Sequence, residues 1–118
     1  MTLTKSPGVL VSKTVSANTT NSTSVKTKSG KVIGWKCSNV NAATRYLKVY
    51  DKASAPAVGT DTPALTIGIP PAGGDCYGLL PDGIDFTNGI GLGIVTGSAD
   101  NDNTAPAAGE IVVNLFYI

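Results

Sequence analysis

The side chains available for chemistry in this chain of 118 residues are two cysteines, eight carboxylates and nine cations, with no histidine. Histidine is the usual general acid or base near neutral pH, so a serine or cysteine nucleophile here would need a lysine or carboxylate as its base. No motif supplies such a pair. Carboxylates come close together at Asp82 and Asp85 and at Asp100 and Asp102. Each pair lies in a turn-rich segment, where aspartate is favoured because its side chain hydrogen-bonds to nearby backbone. The run Asp100-Asn101-Asp102-Asn103-Thr104 presents closely spaced oxygen ligands of the type that suits Ca²⁺. It lacks the glycine and distal glutamate of an EF-hand loop and reads as a solvated loop. Cys37 and Cys76 show no CxxC spacing and have no histidine to complete a zinc site. They read as buried free thiols in a reducing compartment, with a disulfide open to them if the chain finishes outside the cell. Glycines alternate in Gly89-Ile90-Gly91-Leu92-Gly93, which suits a strand and does not open a helix around phosphate. Asn18-Thr19-Thr20 and Asn21-Ser22-Thr23 match the glycosylation acceptor pattern and, with no secretory signal, read as polar turn residues. A protein that is not an enzyme, with no cofactor and no metal site, is expected.

The elements that hold these residues read as strands. Charged residues are only 14% of the chain, and Gly, Ser, Thr, Asn and Ala fill the difference, which suits short strands joined by turns and not a helical bundle. Val9 to Val15 alternates, with Val9, Val11 and Val15 on one face. Ser22 to Lys28 is polar apart from Val25 and reads as an edge or solvent-facing strand. Ser29-Gly30 reads as a hairpin turn. Lys31 to Val40 carries Ile33, Trp35 and Cys37 on one face. In Arg45 to Tyr50, Leu47 and Val49 point one way and Tyr46, Lys48 and Tyr50 the other, the latter as a half-exposed sheet surface or a contact face. A long loop, Asp51 to Pro63, is long enough to cross between sheets or to reach a partner. Leu65, Ile67 and Ile69 form a strand that stops at Pro70-Pro71. Cys76 to Leu80 forms another, ended by the turn Pro81-Asp82-Gly83. Ile90, Leu92 and Ile94 share one face with bare glycine on the other, and Ile111 to Ile118 reads as a central or covered strand. Roughly eight short strands with no substantial helix predict an all-β, single-domain antiparallel β-sandwich, jelly-roll-like, over residues 9–118. Residues 1–8 read as an N-terminal arm.

The net charge is +1, yet all nine bases lie between Lys5 and Lys52 and all eight acids between Asp51 and Glu110. Either strands from the two halves lie side by side and the charges intersperse, or the particle has a basic end that meets an acidic neighbour. With no arginine cluster and no basic run, no nucleic-acid partner is expected. No apolar stretch approaches the length of a membrane span, and Met1 to Pro7 has no apolar run of a secretory signal, so synthesis in a cytoplasm and no membrane partner are expected. The bare side of Gly91 and Gly93 allows a bend, a bulge or tight contact with another subunit.

The order of residues from Asn41 onward carries a resemblance. It runs Asn41-Ala42-Ala43-Thr44-Arg45-Tyr46-Leu47-Lys48-Val49-Tyr50-Asp51-Lys52-Ala53, Pro56, Val58-Gly59-Thr60-Asp61-Thr62-Pro63, then Leu65, Ile67, Ile69-Pro70 and Gly73-Gly74. Gly83-Ile84, Phe86-Thr87-Asn88-Gly89-Ile90 and the closing Val112-Val113-Asn114-Leu115-Phe116-Tyr117 complete it. Over residues 31–118 this resembles small histidine-poor β proteins of tailed bacteriophages and prophages, some of them similar to capsid decoration (cement) proteins. The resemblance implies a virion protein on the capsid exterior, made in the host bacterial cytoplasm. Its implied partners are the major capsid protein and itself, as a homotrimer, and its implied role is to stabilise contacts between capsid subunits. It carries no catalytic motif. Lys5 and Lys13, in and beside the arm, and Gly91 and Gly93 are the expected interface residues. The rival expectation is a tail, fibre or receptor-binding β module of the virion, using the loops Asp51 to Pro63 and Ser98 to Gly109.

Overall fold

Alternation of apolar and polar residues, broken by Gly, Pro and Asn, produces eight strands in the computed structural model, which describes residues 8–118. They are β1 (Leu10–Val15), β2 (Ser22–Lys26), β3 (Gly30–Asn39), β4 (Arg45–Tyr50), β5 (Leu65–Ile69), β6 (Cys76–Phe86), β7 (Ile90–Val95) and β8 (Ile111–Tyr117). No helix forms among the described residues. One sheet has the order β1-β8-β3-β6 and the other β2-β7-β4-β5. All pairings are antiparallel. The pairs β1·β8, β2·β7, β3·β6 and β4·β5 nest inside one another, the topology of a jelly roll: a long antiparallel hairpin rolled into two facing sheets.

The core lies between the sheets. Val32, Cys37, Cys76, Phe86, Ile111, Val113 and Leu115 come from the first sheet, and Leu47, Val49, Ile69, Ile90, Leu92 and Ile94 from the second. Trp35 packs against this cluster, half-buried. β8 runs between β1 and β3, so it is a central strand, as its apolar sequence requires. β2, the most polar strand, is an edge.

Three details depart from the sequence expectations. Ser29-Gly30 makes no hairpin, because β2 and β3 belong to different sheets and the turn crosses the sandwich. Pro81-Asp82-Gly83 does not end β6. The strand bulges there: Val32 pairs with Ile84 and Gly34 with Leu79, leaving the residues between them unpaired, with Gly83 in the left-handed region at φ 69°. Pro81 lacks an N–H, and an edge strand tolerates the loss. The loop between β4 and β5 neither crosses between sheets nor projects away. Its two strands are neighbours, and the loop folds back over the outer face of its own sheet.

The nested pairing also decides the charge arrangement. Every first-half strand lies beside a second-half strand, and the four ion pairs found among the described residues join a base from the first half to an acid from the second. They are Lys31–Asp85, Lys36–Asp75, Arg45–Glu110 and Lys52–Asp61. The charges therefore intersperse.

Candidate interaction surfaces

The two outer faces of the sandwich differ in what covers them. On the β2-β7-β4-β5 sheet, Tyr46, Lys48 and Tyr50 pair with Val95, Gly93 and Gly91, so these six side-chain positions share the outer face. A Cβ on Gly91 would lie 2.9 Å from Pro56 Cδ, and one on Gly93 would lie 2.7 Å from Val58 Cγ2. The glycines leave room for the chain's own loop. Gly91 and Gly93 are buried in this way within one chain, which corrects the expectation of a subunit interface at these two positions. Lys48 and Tyr50 are buried with them, where a half-exposed surface was expected. Lys48 Nζ donates to the Ala99 carbonyl in the β7–β8 loop. Burial, with Asp61 and Asp100 nearby, pushes the Tyr50 phenol up, and its hydroxyl has no hydrogen-bond partner. The alternating Pro56 and Val58 match the alternating glycines, a correspondence visible in the sequence once the loop is known to fold back.

Three aspartates accept from loop or turn backbone. Asp102 Oδ1 accepts from Thr104 N at 2.9 Å, and Asp51 Oδ1 accepts from Asn88 N at 2.8 Å. Asp61 Oδ2 accepts from Lys52 Nζ at 2.6 Å and from Ala57 N at 2.8 Å, which holds its carboxyl below the usual range. Among the described residues, no three His, Cys, Asp or Glu side chains are grouped to hold a metal ion. A cleft of about 420 Å³ opens at Ser29, Gly30, Lys31, Asp85, Phe86 and Thr87, where Lys31 and Asp85 face each other at 3.7 Å. Cys37 and Cys76 are directly opposed on β3 and β6, both buried and both free. Burial pushes each thiol above its ordinary range, which removes the thiolate that reactive cysteines require.

The β1-β8-β3-β6 sheet has, among the described residues, no loop over its outer face as the β4–β5 loop lies over the other. Its uncovered apolar side chains gather at the two edges. Val9, Leu10, Val11 and Val15 lie on or beside β1, and Tyr77, Leu79 and Ile84 lie on β6. Val40, in the β3–β4 turn, is the one other large apolar residue exposed among the described residues. A row crosses the outer face through Val11, Phe116, Gly34 and Leu79, with Val11 and Leu79 each 58% exposed. The next row is Lys13, Asn114, Lys36 and Tyr77. Lys36 Nζ lies 5.8 Å from the Tyr77 ring centre and 3.2 Å from Asp75 Oδ1. Lys13 is exposed and makes no ion pair among the described residues. Lys5 lies outside the described residues, as does most of the expected arm.

Fold and surfaces together define a jelly-roll β-sandwich with one loop-covered face and one sheet whose apolar edges are exposed among the described residues. No protein-family model, no curated protein and no solved structure matches the chain.

Proposed function

We propose that this chain is a structural protein of a tailed-phage virion, a decoration protein that binds the outer shell and bridges adjacent capsid subunits as a homotrimer. The observation that carries it is the placement of the exposed apolar residues on the two edges of one sheet of a tightly cored jelly roll. Bare apolar edges are hazards in a protein that stays alone, and they suit a module covered by assembly. Jelly rolls serve as capsid domains and as lectins, so the fold is compatible with this use and does not select it. The resemblance over residues 31–118 supplies the selection. The major capsid protein is the intended partner, with synthesis in the host cytoplasm.

Copy number per particle tests the proposal. Quantitative mass spectrometry of purified virions should find this chain in hundreds of copies, in near-integer ratio to the major capsid protein. A few to a few dozen copies would transfer it to the tail or fibre. That second reading has its own support: the β4–β5 and β7–β8 loops meet, with a Cβ on Gly59 placed 2.9 Å from Asn103 Cβ, giving one joined loop surface. Complete absence from particles would remove both readings.

A further inference from the structure

We infer that copies of this chain associate head to tail, with the β1 edge of one sheet pairing antiparallel to the β6 edge of the next. The inference deepens the self-assembly named above, yet it is tested on the purified chain without any particle.

Three observations converge. First, seven of the eight large apolar residues exposed among the described residues lie on or beside β1 and β6, although these strands sit at opposite edges. Second, the strand directions allow a continuous sheet. β1 is antiparallel to β8, β8 to β3 and β3 to β6, so β6 runs opposite to β1. A copy related by rotation about an axis along the strands presents its β1 antiparallel to the free side of β6. Backbone groups left open at both edges would then pair.

Third, one register makes the outer-face side chains complementary. With Val11 opposite Tyr77, Val9 falls opposite Leu79 and Lys13 opposite Asp75. Two pairs are apolar and the third joins opposite charges. Asp75 is 82% exposed at its side chain, so it can accept Lys13 while keeping Lys36. Two-fold pairing of β1 with β1 brings together no charge but lysine, and pairing of β6 with β6 no charge but aspartate, so neither two-fold alternative joins opposite charges. Charge therefore favours the head-to-tail arrangement. Such an interface leaves one free β1 and one free β6 in any open assembly, and a closed ring removes both. The bulge at Pro81 to Gly83 limits the regular part of the β6 edge to the stretch that begins at Cys76.

The experiment is sedimentation velocity and native mass spectrometry on the full chain, from micromolar to submillimolar concentration, with circular dichroism confirming that each variant folds. The wild-type chain should form a closed oligomer. Val11→Lys and Leu79→Lys should each weaken association by about tenfold or more. Mixing the two should give one-to-one dimers that grow no further, because the mixture keeps one intact pair of edges. Lys13→Asp should weaken assembly, and adding Asp75→Lys in the same chain should restore it. A wild-type chain that stays monomeric throughout overturns the inference. So does assembly that neither lysine variant affects, or a loss with Val11→Lys alone. Rings in solution with few copies on the virion would keep the inference and discard the capsid reading, and a monomer found in hundreds of copies would do the reverse.

Discussion

At the scale of single residues, the side chains with most consequence are buried polar groups that sequence patterning treats as surface. Asn39 is fully buried at the end of β3. Its amide donates to the carbonyls of Ala43 at 2.9 Å and Ile69 at 3.1 Å, and its Oδ1 accepts from Asn41 N at 2.8 Å. One side chain thus fixes the β3–β4 turn and ties it to β5. Asn39→Ala leaves those groups without partners and should cost about 2–4 kcal/mol, read as a lower urea midpoint with unchanged slope. The thiols give a pH signature. Burial raises Cys37 above its reference value of 9.0, and Cys76 moves in the same direction. Above about pH 9 the unfolded chain loses these protons while the folded chain keeps them, so the folded state loses stability as pH rises. Cys37 alone should contribute a fall of up to about 1.4 kcal/mol per pH unit. Denaturant midpoints measured across alkaline pH should show this slope, and the Cys37→Ala, Cys76→Ala double variant should reduce it, leaving the share of the buried Tyr50 phenol, whose upward shift acts in the same direction. Neither thiol should react with a bulky disulfide reagent until the protein unfolds.

At the scale of elements, the β4–β5 loop behaves as a cover for its own sheet. Its seat depends on the absence of side chains at Gly91 and Gly93, where an added Cβ would meet Pro56 or Val58. Gly93→Ala would set a methyl 2.7 Å from Val58 Cγ2 and 3.2 Å from the Asn21 carbonyl. The loop must shift, at a cost of about 1–3 kcal/mol. Hydrogen exchange should accelerate across residues 51–64 while β3 and β8 stay protected. The effect should appear at concentrations where the chain is monomeric, because the contact lies within one chain. The alternating glycines announced a close approach in the sequence. What approaches them lies more than thirty residues earlier in the chain, and alternation carries no information about so remote a partner.

At the scale of the whole molecule, the two sheets are joined by more than apolar contact. Arg45, at the start of β4, meets Glu110, just before β8, at 3.5 Å. Glu110 is buried, and its Oε2 also accepts from Ala107 N at 3.0 Å. Removing the carboxylate leaves a half-buried guanidinium and a backbone donor unmatched. Glu110→Ala should therefore lower global stability by about 1–3 kcal/mol, seen as one cooperative transition at a lower temperature. The exposed pairs Lys31–Asp85 and Lys36–Asp75 are solvated and should matter little to folding. Their place on the edge strand β6 and its neighbour β3 is more relevant to recognition than to stability.

The sequence by itself determined the strands, most of their boundaries and most of the inward faces; in β3 the bulge between Val32 and Gly34 puts Val32 in the core in place of Ile33, which the two-residue period had grouped with Trp35 and Cys37. A two-residue period brings Leu47 with Val49, and Ile90 with Leu92 and Ile94, to one side whatever the strand pairs with. It also limited β8, apolar on both faces, to a central strand or a covered edge, and the sheet order makes it central. Tertiary structure alone decided which strands became neighbours, since pairing in a sandwich joins residues far apart in the chain and local pattern does not specify the partner. That choice interleaved the basic and acidic halves and directly opposed Cys37 and Cys76. It also folded a loop over Lys48 and Tyr50, and left β1 and β6 at the edges of one sheet. Burial is a property of what comes to rest on a face, so a face that reads as exposed in the strand's own sequence is covered when a distant segment fills it.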